Sequence, residues 1–276
     1  MATIVSPGKR ATDGEVTKDE LAGLSTKEIR SLIRAGRYKE SSSGIGVGYA
    51  QATFVSVPER LALDFMTFCQ RNPQPCPILE VIEAGTTTVA KLAPGADVRT
   101  DMAKYRVIRN GRIIAEPGNV LEHYGKDYVG FLIGCSCSFD WVLREAGVPD
   151  RGLATYVTQV DCAPAGVFHS KLWISVRPVH HTQVSLVAQV SSRFPAFHGQ
   201  PVHYGDPAAL GVDFKKSNGF PGAKPFEVKP DEVAVYWACS ITPTQAALDS
   251  GLDMIVSYPG FMLMTDTLAR TMAISG

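Results

Sequence analysis

The chain has 276 residues, enough for one large domain or two small ones with an ample core. Its 27 Lys and Arg balance 27 Asp and Glu, which argues against nucleic acid or an anionic membrane as partner, because both select an excess of basic residues. No apolar run reaches the length that spans a bilayer, and Met1 to Lys18 lacks the apolar core of a signal peptide. The six cysteines, at 69, 76, 135, 137, 162 and 239, form no C-x-x-C pair, so reduced thiols in a cytoplasmic protein are the expectation.

In chain order, residues 1–22 read as a flexible lead-in and 23–276 as a single catalytic unit, with a smaller subdomain around 150–200. Ser25-Thr-Lys-Glu28 is a capping box, and the helix it opens carries Ile29, Leu32 and Ile33 on one face and ends near Gly36. Ser41 to Gly48 is small and Gly-rich, a flexible loop or a ligand cradle, without the dinucleotide fingerprint. Tyr49 to Val57 reads as a strand and Pro58 to Arg71 as a helix. Asn72 to Pro77 is a rigid turn, Ile78 to Ile82 a strand and Thr86 to Ala96 a loop. Tyr105 to Ala115 is a hairpin about Asn110-Gly111.

The stretch Tyr128 to Asp140 is the focus. Tyr128 to Ile133 has the length and composition of a buried strand, Gly134 permits a sharp turn, and Cys135-Ser-Cys-Ser138 follows. Phe139 to Ala146 reads as a helix with Ser138 as N-cap and Asp140 in its first turn, stopped by Gly147 and Pro149. Such a corner gathers free N–H groups and suits an anion such as a carboxylate; it is also what any strand-to-helix junction needs. Ala154 to Val160 alternates as a strand, Asp161 to Gly166 turns, and Leu172 to Val176 is a strand ended by Arg177-Pro178. Thr182 to Arg193 reads as a helix, and His198 to Pro207 is dense in polar residues and turn formers. Lys215 to Pro230 is a surface loop. Val233 to Cys239 is a buried strand, after which Thr242 is placed to cap a helix begun by Pro243. Met254 to Ser257 and Met262 to Met264 are short strands, with Asp266 just beyond. The alternation predicts an α/β protein, a mixed sheet flanked by helices with a smaller α+β subdomain.

Several motifs together resemble the D-glutamate cyclase family, whose bacterial members are commonly labelled hydro-lyases. They are Phe131-Leu-Ile-Gly-Cys-Ser-x-Ser-Phe139, Cys162-x-Pro-Ala-Gly166, Val176-Arg-Pro178, His198-Gly-x-Pro-Val-His-x-Gly-Asp-Pro207 and Tyr236-Trp-Ala-Cys239. Gly48-Tyr-x-Gln-Ala52, Asn72-Pro-x-Pro-Cys-Pro77 and Asp97-x-Arg-Thr-Asp101 extend the match back along the chain. The resemblance implies an α/β fold with a smaller subdomain, and interconversion of D-glutamate and 5-oxo-D-proline with loss or gain of water. The chain departs from the family pattern in carrying Asp140 for Glu, Val157 and Gln159 for Arg and Asn, Ser170-Lys171 for Gly-Pro, and Ser257 and Phe261 for two His. Those changes point to an altered, more apolar substrate or to a carboxylate-binding protein without catalysis.

Water loss from an amino or hydroxy acid needs a base, an acid and a carboxylate clamp. Arg177 is the candidate clamp, since a planar fork matches a carboxylate; the alternative is a structural ion pair. His203 and Asp206, three apart in a turn, suit a general base and its orienting carboxylate, or simply a capped turn. Cys135 is a candidate nucleophile or hydrogen-bond donor, or a packed thiol, and Asp140 a candidate acid or base. Ser136, Ser138, Gln51, Tyr49, Thr158, His198, Thr242 and Asp266 are candidate substrate contacts. The expected ligand is a small carboxylate; no cofactor is called for, although a divalent ion, Mn or Mg, is conceivable at His198, His203 and Asp206. Nothing in the pattern decides for or against a homo-oligomer.

Overall fold

The computed structural model describes residues 14–216 and 226–274. The lead-in up to residue 13, and part of the expected 215–230 loop, lie outside them. Residues 14–22 are packed against the body: Leu21 is buried, Val16 N–H donates to the Arg37 carbonyl, and a short 3-10 turn spans Asp19–Leu21.

Two antiparallel sheets carry the chain, within the expected α/β class. The larger is built on β1 (Tyr49–Pro58), a strand buried along almost its whole length. On one side of β1 lies β5 (Tyr128–Gly134), paired from Ala52↔Gly134 to Pro58↔Tyr128. On the other side β10 (Met254–Ser257) takes Val55 and Ser56, and β11 (Leu263–Leu268) takes Tyr49 to Ala52. The order is completed by β2 (Ile78–Ile82) outside β5, and by β3 (Tyr105–Arg109) and β4 (Arg112–Ala115) outside β10. The β3–β4 turn has Asn110 and Gly111 at φ 49° and 68°, the two left-handed residues of the expected hairpin turn. Asp266, expected just after a strand, lies inside β11.

Helix α1 (Thr26–Arg34) begins at the Ser25–Glu28 capping box, with both reciprocal bonds formed. Helix α2 (Glu59–Arg71) buries Leu61, Phe65, Phe68 and Cys69, spaced to share one face. Phe65 meets Phe131 of β5 at 4.8 Å between ring centroids. Each such aromatic removed from water contributes roughly 1.5–3 kcal/mol, so this face fixes β1 and β5 beneath the site. The other face of the sheet packs Phe54 and Leu132 against the 89–107 region.

The smaller sheet has order β6 (Ala154–Asp161), β7 (Lys171–His180), β9 (Glu232–Ala238), β8 (His203–Tyr204). It draws on residues 154–238, a longer stretch than the subdomain expected around 150–200. Strand β7 does not end at Arg177-Pro178 but runs through it, still paired with β9. Strand β6 begins at Ala154, opposite Val176. Pro178 therefore occupies an open edge, where a missing N–H costs no ladder bond.

The corner after β5 is tighter than the pattern predicts. A 3-10 turn spans Ser136–Ser138, and helix α3 (Asp140–Glu145) follows a residue later than expected. Ser138 does not cap it. The Ser138 hydroxyl instead accepts from Gln51 N–H at 2.9 Å, which locks the turn to β1. Behind it, α4 (Val184–Ser192) and Phe197 pack with Phe139 and Trp237. Gly134 is required at the corner, because a Cβ there would lie 1.7 Å from the Ala196 carbonyl oxygen. Helix α5 (Thr242–Asp249) starts at Thr242 itself, whose hydroxyl accepts from Trp173 N–H of β7 at 3.0 Å rather than capping.

Candidate functional site

The two sheets meet around a cavity of about 480 Å³. Strand β1 presents Tyr49, Gln51 and Thr53 to it, alternate residues on one face. Strand β7 presents Ser175 and Arg177 by the same rule, and Thr155 of β6 stands opposite Ser175. The 135–144 corner adds Cys135, Ser136, Cys137 and Asp140, and the chain after β9 adds Cys239 and Ser240. The 41–48 loop and the 257–262 turn close the sides. These two are tied together, since Met262 N–H donates to Ser42 Oγ at 2.8 Å and Ser41 Oγ donates to the Gly260 carbonyl at 2.7 Å.

Arg177 is the centre of charge. Its Nη2 donates to Asp140 Oδ1 at 2.8 Å and to Ser136 Oγ at 3.1 Å. Its guanidinium also lies near the Trp237 and Phe139 rings, at 5.2 and 5.6 Å from their centroids. Burial opposes the cation, but Asp140 and the neighbouring Cys137 and Cys135 outweigh it and hold Arg177 above its ordinary pKa. Among the described residues, its other nitrogen, Nη1, is buried and has no hydrogen-bond partner.

Two further atoms of cavity-lining residues share that state: Ser175 Oγ and Gln51 Oε1. Gln51 Nε2 donates to the carbonyls of Ile45 at 3.0 Å and Ser42 at 3.2 Å, which fixes which end of the amide is which. Its carbonyl oxygen is left as a buried acceptor without a donor. An unmatched buried polar atom costs about 1–3 kcal/mol, and the residues that carry these three all line the one cavity. The cavity thus lacks an acceptor for Arg177 and a donor for Gln51.

The thiols divide by environment. The hydrogen bond with Cys135, together with burial, raises Cys137 well above the usual thiol range, and burial pushes Cys239 up to about 11. Both are neutral thiols near neutral pH, suited to weak donation rather than attack. Cys135 is half-buried at the cavity wall.

The candidates from sequence separate clearly. Cys135, Asp140, Arg177, Ser136, Gln51 and Tyr49 line the cavity. Ser138 and Thr242 stand behind the wall in the backbone bonds given above. Thr158 is turned away, donating to the Leu172 carbonyl. Asp266 is held by Arg30 at 2.9 Å and by Thr26. The expected pairing of His203 with the Asp206 carboxylate does not form: His203 Nε2 meets the Asp206 main-chain oxygen at 3.0 Å, and the carboxylate accepts from Ala208 N–H. Both belong to a turn outside the cavity lining. His198 is buried, with Nδ1 2.6 Å from the Gln74 carbonyl. His198, His203 and Asp206 do not converge on a divalent-ion site; among the described residues no three His, Cys, Asp or Glu side chains are placed to hold a metal.

Thr53, Ser175, Ser240 and Ser257 were not picked out as contacts by sequence reasoning. Thr53 and Ser175 lie two residues from Gln51 and Arg177 on strands, so the period-two rule would have found them. Ser240, bonded to Thr53 Oγ1 at 2.8 Å, and Ser257, bonded to Phe54 N–H at 3.1 Å, arrive through long-range pairing and carry no local signal.

The sequence model of the D-glutamate cyclase family matches residues 129–266. "Putative hydro-lyase YcsI" of Bacillus subtilis is 41% identical over 258 residues, covering 91% of this chain and 100% of that protein. A "Putative hydro-lyase" of Streptomyces avermitilis is 43% identical, covering 87% and 89%. The chain belongs to the D-glutamate cyclase family. The relatives' names place that family among the lyases. A nitrogen repressor-like protein of Methanococcus jannaschii aligns over 83% of this chain and 90% of its own, at 10% identity and a TM-score of 0.38, too low for a shared fold to follow. Of the positions read from the sequence as departing from the family pattern, Val157, Gln159, Ser170, Lys171 and Phe261 fall outside the cavity lining, whereas Asp140 and Ser257 fall inside it. Among the described residues no helix is long and apolar enough to cross a membrane.

Proposed function

We propose that this chain is a hydro-lyase or cyclase acting on a small amino carboxylate, with D-glutamate to 5-oxo-D-proline as the prototype. The observation that carries the reading is the pair of unmatched buried groups on residues that line one cavity: the Arg177 Nη1 donor and the Gln51 Oε1 acceptor. A ligand bearing both a carboxylate and an N–H satisfies the two at once. In this reading Arg177 clamps the carboxylate, and Ser136, which already accepts from Arg177, uses its own O–H as a second donor. Gln51 Oε1 takes an N–H of the ammonium or lactam.

Asp140 is the proton carrier. Arg177 engages its Oδ1, leaving Oδ2 to accept. In ring closure the amine nitrogen attacks the side-chain carboxyl carbon, a C–N bond forms and a C–O bond breaks. Two protons leave nitrogen and two reach the departing oxygen, which leaves as water, so the carrier acts twice. Tethering of the reacting ends supplies proximity, and the neutral thiols and Ser240 are the nearby donors to the oxyanion. Because most family departures lie off the cavity, the reading keeps the family reaction. The six free cysteines fit a reducing compartment, and a cytoplasmic location is part of the same proposal.

Purified protein is incubated with D-glutamate and, separately, with 5-oxo-D-proline, with and without added Mn²⁺, and followed by mass spectrometry for gain or loss of one water. Interconversion that disappears in Arg177→Met is the expected result. Full turnover in that variant sinks the site assignment. Thermal stabilisation by both compounds without conversion would instead favour a carboxylate-binding protein that has lost catalysis.

A further inference from the structure

The cavity is larger than the prototype substrate and is not lined uniformly. D-Glutamate has roughly ten non-hydrogen atoms and, even at the roughly 30 Å³ that a separate water molecule occupies, more than a bonded atom needs, it takes up less than about 300 Å³. The cavity holds about 480 Å³. The polar atoms that await a partner belong to Arg177, Ser175 and Gln51, at the sheet junction. The large apolar side chains of the wall come from other elements: Ile45 and Val47 of the 41–48 loop, Trp141 of α3, Leu153 before β6, Ile241 before α5, and Met262. Val47 is 60% exposed and Leu153 42% exposed. These two large aliphatic side chains, far apart in sequence, both line the cavity while remaining exposed. Trp141 is held there by its indole N–H, which donates to the Ser138 carbonyl at 3.0 Å.

We infer that the substrate of this site carries an apolar substituent, aryl or branched alkyl, at the end remote from its carboxylate. The inference rests on the amino-carboxylate reading and extends it. With the carboxylate on Arg177 and the N–H on Gln51, the rest of the molecule runs outward along Ile45, Trp141 and Ile241, and its tail covers Val47 and Leu153. The apolar character does not come from Val157 or Phe261, the positions where the sequence suggested it, since neither lines the cavity. Lys18, Arg144 and Asp150 also line the cavity. Lys18 Nζ is engaged by the Ser43 carbonyl at 2.5 Å, and the aliphatic stems of both cations can lie along an apolar tail.

The test compares D-glutamate with its γ-benzyl ester, which keeps the amine and the α-carboxylate but replaces the second anion by an aromatic tail. Isothermal titration of the intact protein should show the ester binding at least about tenfold more tightly, the gain expected from burying a ring. Combining Val47→Ser with Leu153→Ser, both at exposed positions, should bring the two affinities together. D-Glutamate binding as well as or better than the ester would overturn the inference and leave the amino-carboxylate reading standing. A preference that survives the double variant overturns it as well. Binding of neither compound would defeat the amino-carboxylate reading, and this extension with it.

Discussion

Replacing His198 by Asn exposes how a buried neutral imidazole couples the site's backing to pH. His198 is 1% exposed, and burial lowers its pKa to about 4, with the Arg177 charge acting in the same direction. In the unfolded chain it titrates near 6.5. Above that value both states are neutral and the residue contributes no pH dependence. As the pH falls below it, the unfolded chain binds a proton that the folded protein refuses, so stability is lost until the folded pKa is reached. From roughly pH 8 to pH 5 that difference amounts to about 2 kcal/mol, or roughly 4–8 °C of melting temperature for a chain of this size. Asn tolerates the left-handed backbone that His198 adopts at φ 79°, and its amide can still reach the Gln74 carbonyl. Urea denaturation across this pH range should show wild type losing about 2 kcal/mol more than His198→Asn on acidification. Parallel losses, or an NMR titration of His198 centred near 6.5, would refute the reasoning.

Other outcomes follow from the same geometry. Asp140→Asn keeps an acceptor for Arg177 but removes the proton carrier, so turnover should fall by about 10²-fold or more; turnover close to wild type rejects the role. Gly134→Ala drives a Cβ to 1.7 Å from the Ala196 carbonyl oxygen and should cost about 3 kcal/mol or more, measured by denaturant unfolding. Asp266→Asn removes the negative charge 2.9 Å from the buried Arg30, leaving it the longer contact to Asp101 at 3.9 Å, and should cost about 1–2 kcal/mol, less than a fully buried pair because Asp266 is partly exposed. Burial opposes ionisation of Asp266, but Arg30 and Thr26 outweigh it and hold its pKa below the ordinary value. Its stabilisation is therefore present above the unfolded carboxylate pKa and lost as the pH falls through the folded one. The variant should flatten that acid limb while turnover, which does not use Asp266, remains.

Local order was written in the sequence, because it depends on neighbours in the chain. The Ser25–Glu28 capping box, the Asn110-Gly111 hairpin, the amphipathic α2 and the buried Tyr128–Gly134 strand each rest on spacing that a few residues define. Arg177, Asp140, Ser136 and Gln51 were legible as candidates because their residue types suit carboxylate chemistry and their motifs match the family. The strand boundary at Pro178 and the helix start at Thr242 were misjudged from local signals. Pro178 is accommodated by an open strand edge, and the Thr242 hydroxyl serves β7 instead of its own helix.

What the tertiary structure decided was which polar residues face one another. His203 and Asp206 carry the sequence pattern of a base and its orienter, yet the turn at 203–206 satisfies itself with backbone atoms and lies off the cavity. Ser175, Ser240 and Ser257, ordinary in sequence, are brought to the cavity wall by pairing between strands and loops, Ser240 and Ser257 across 187 and 203 residues from their β1 partners. Burial then does what composition cannot: it strips water from Arg177 Nη1 and Gln51 Oε1 and leaves them unpaired. The sequence alone supplied the family and the chemical types. The meeting of two sheets chose among them, because only enclosure makes an unmatched donor or acceptor costly enough to call for a ligand.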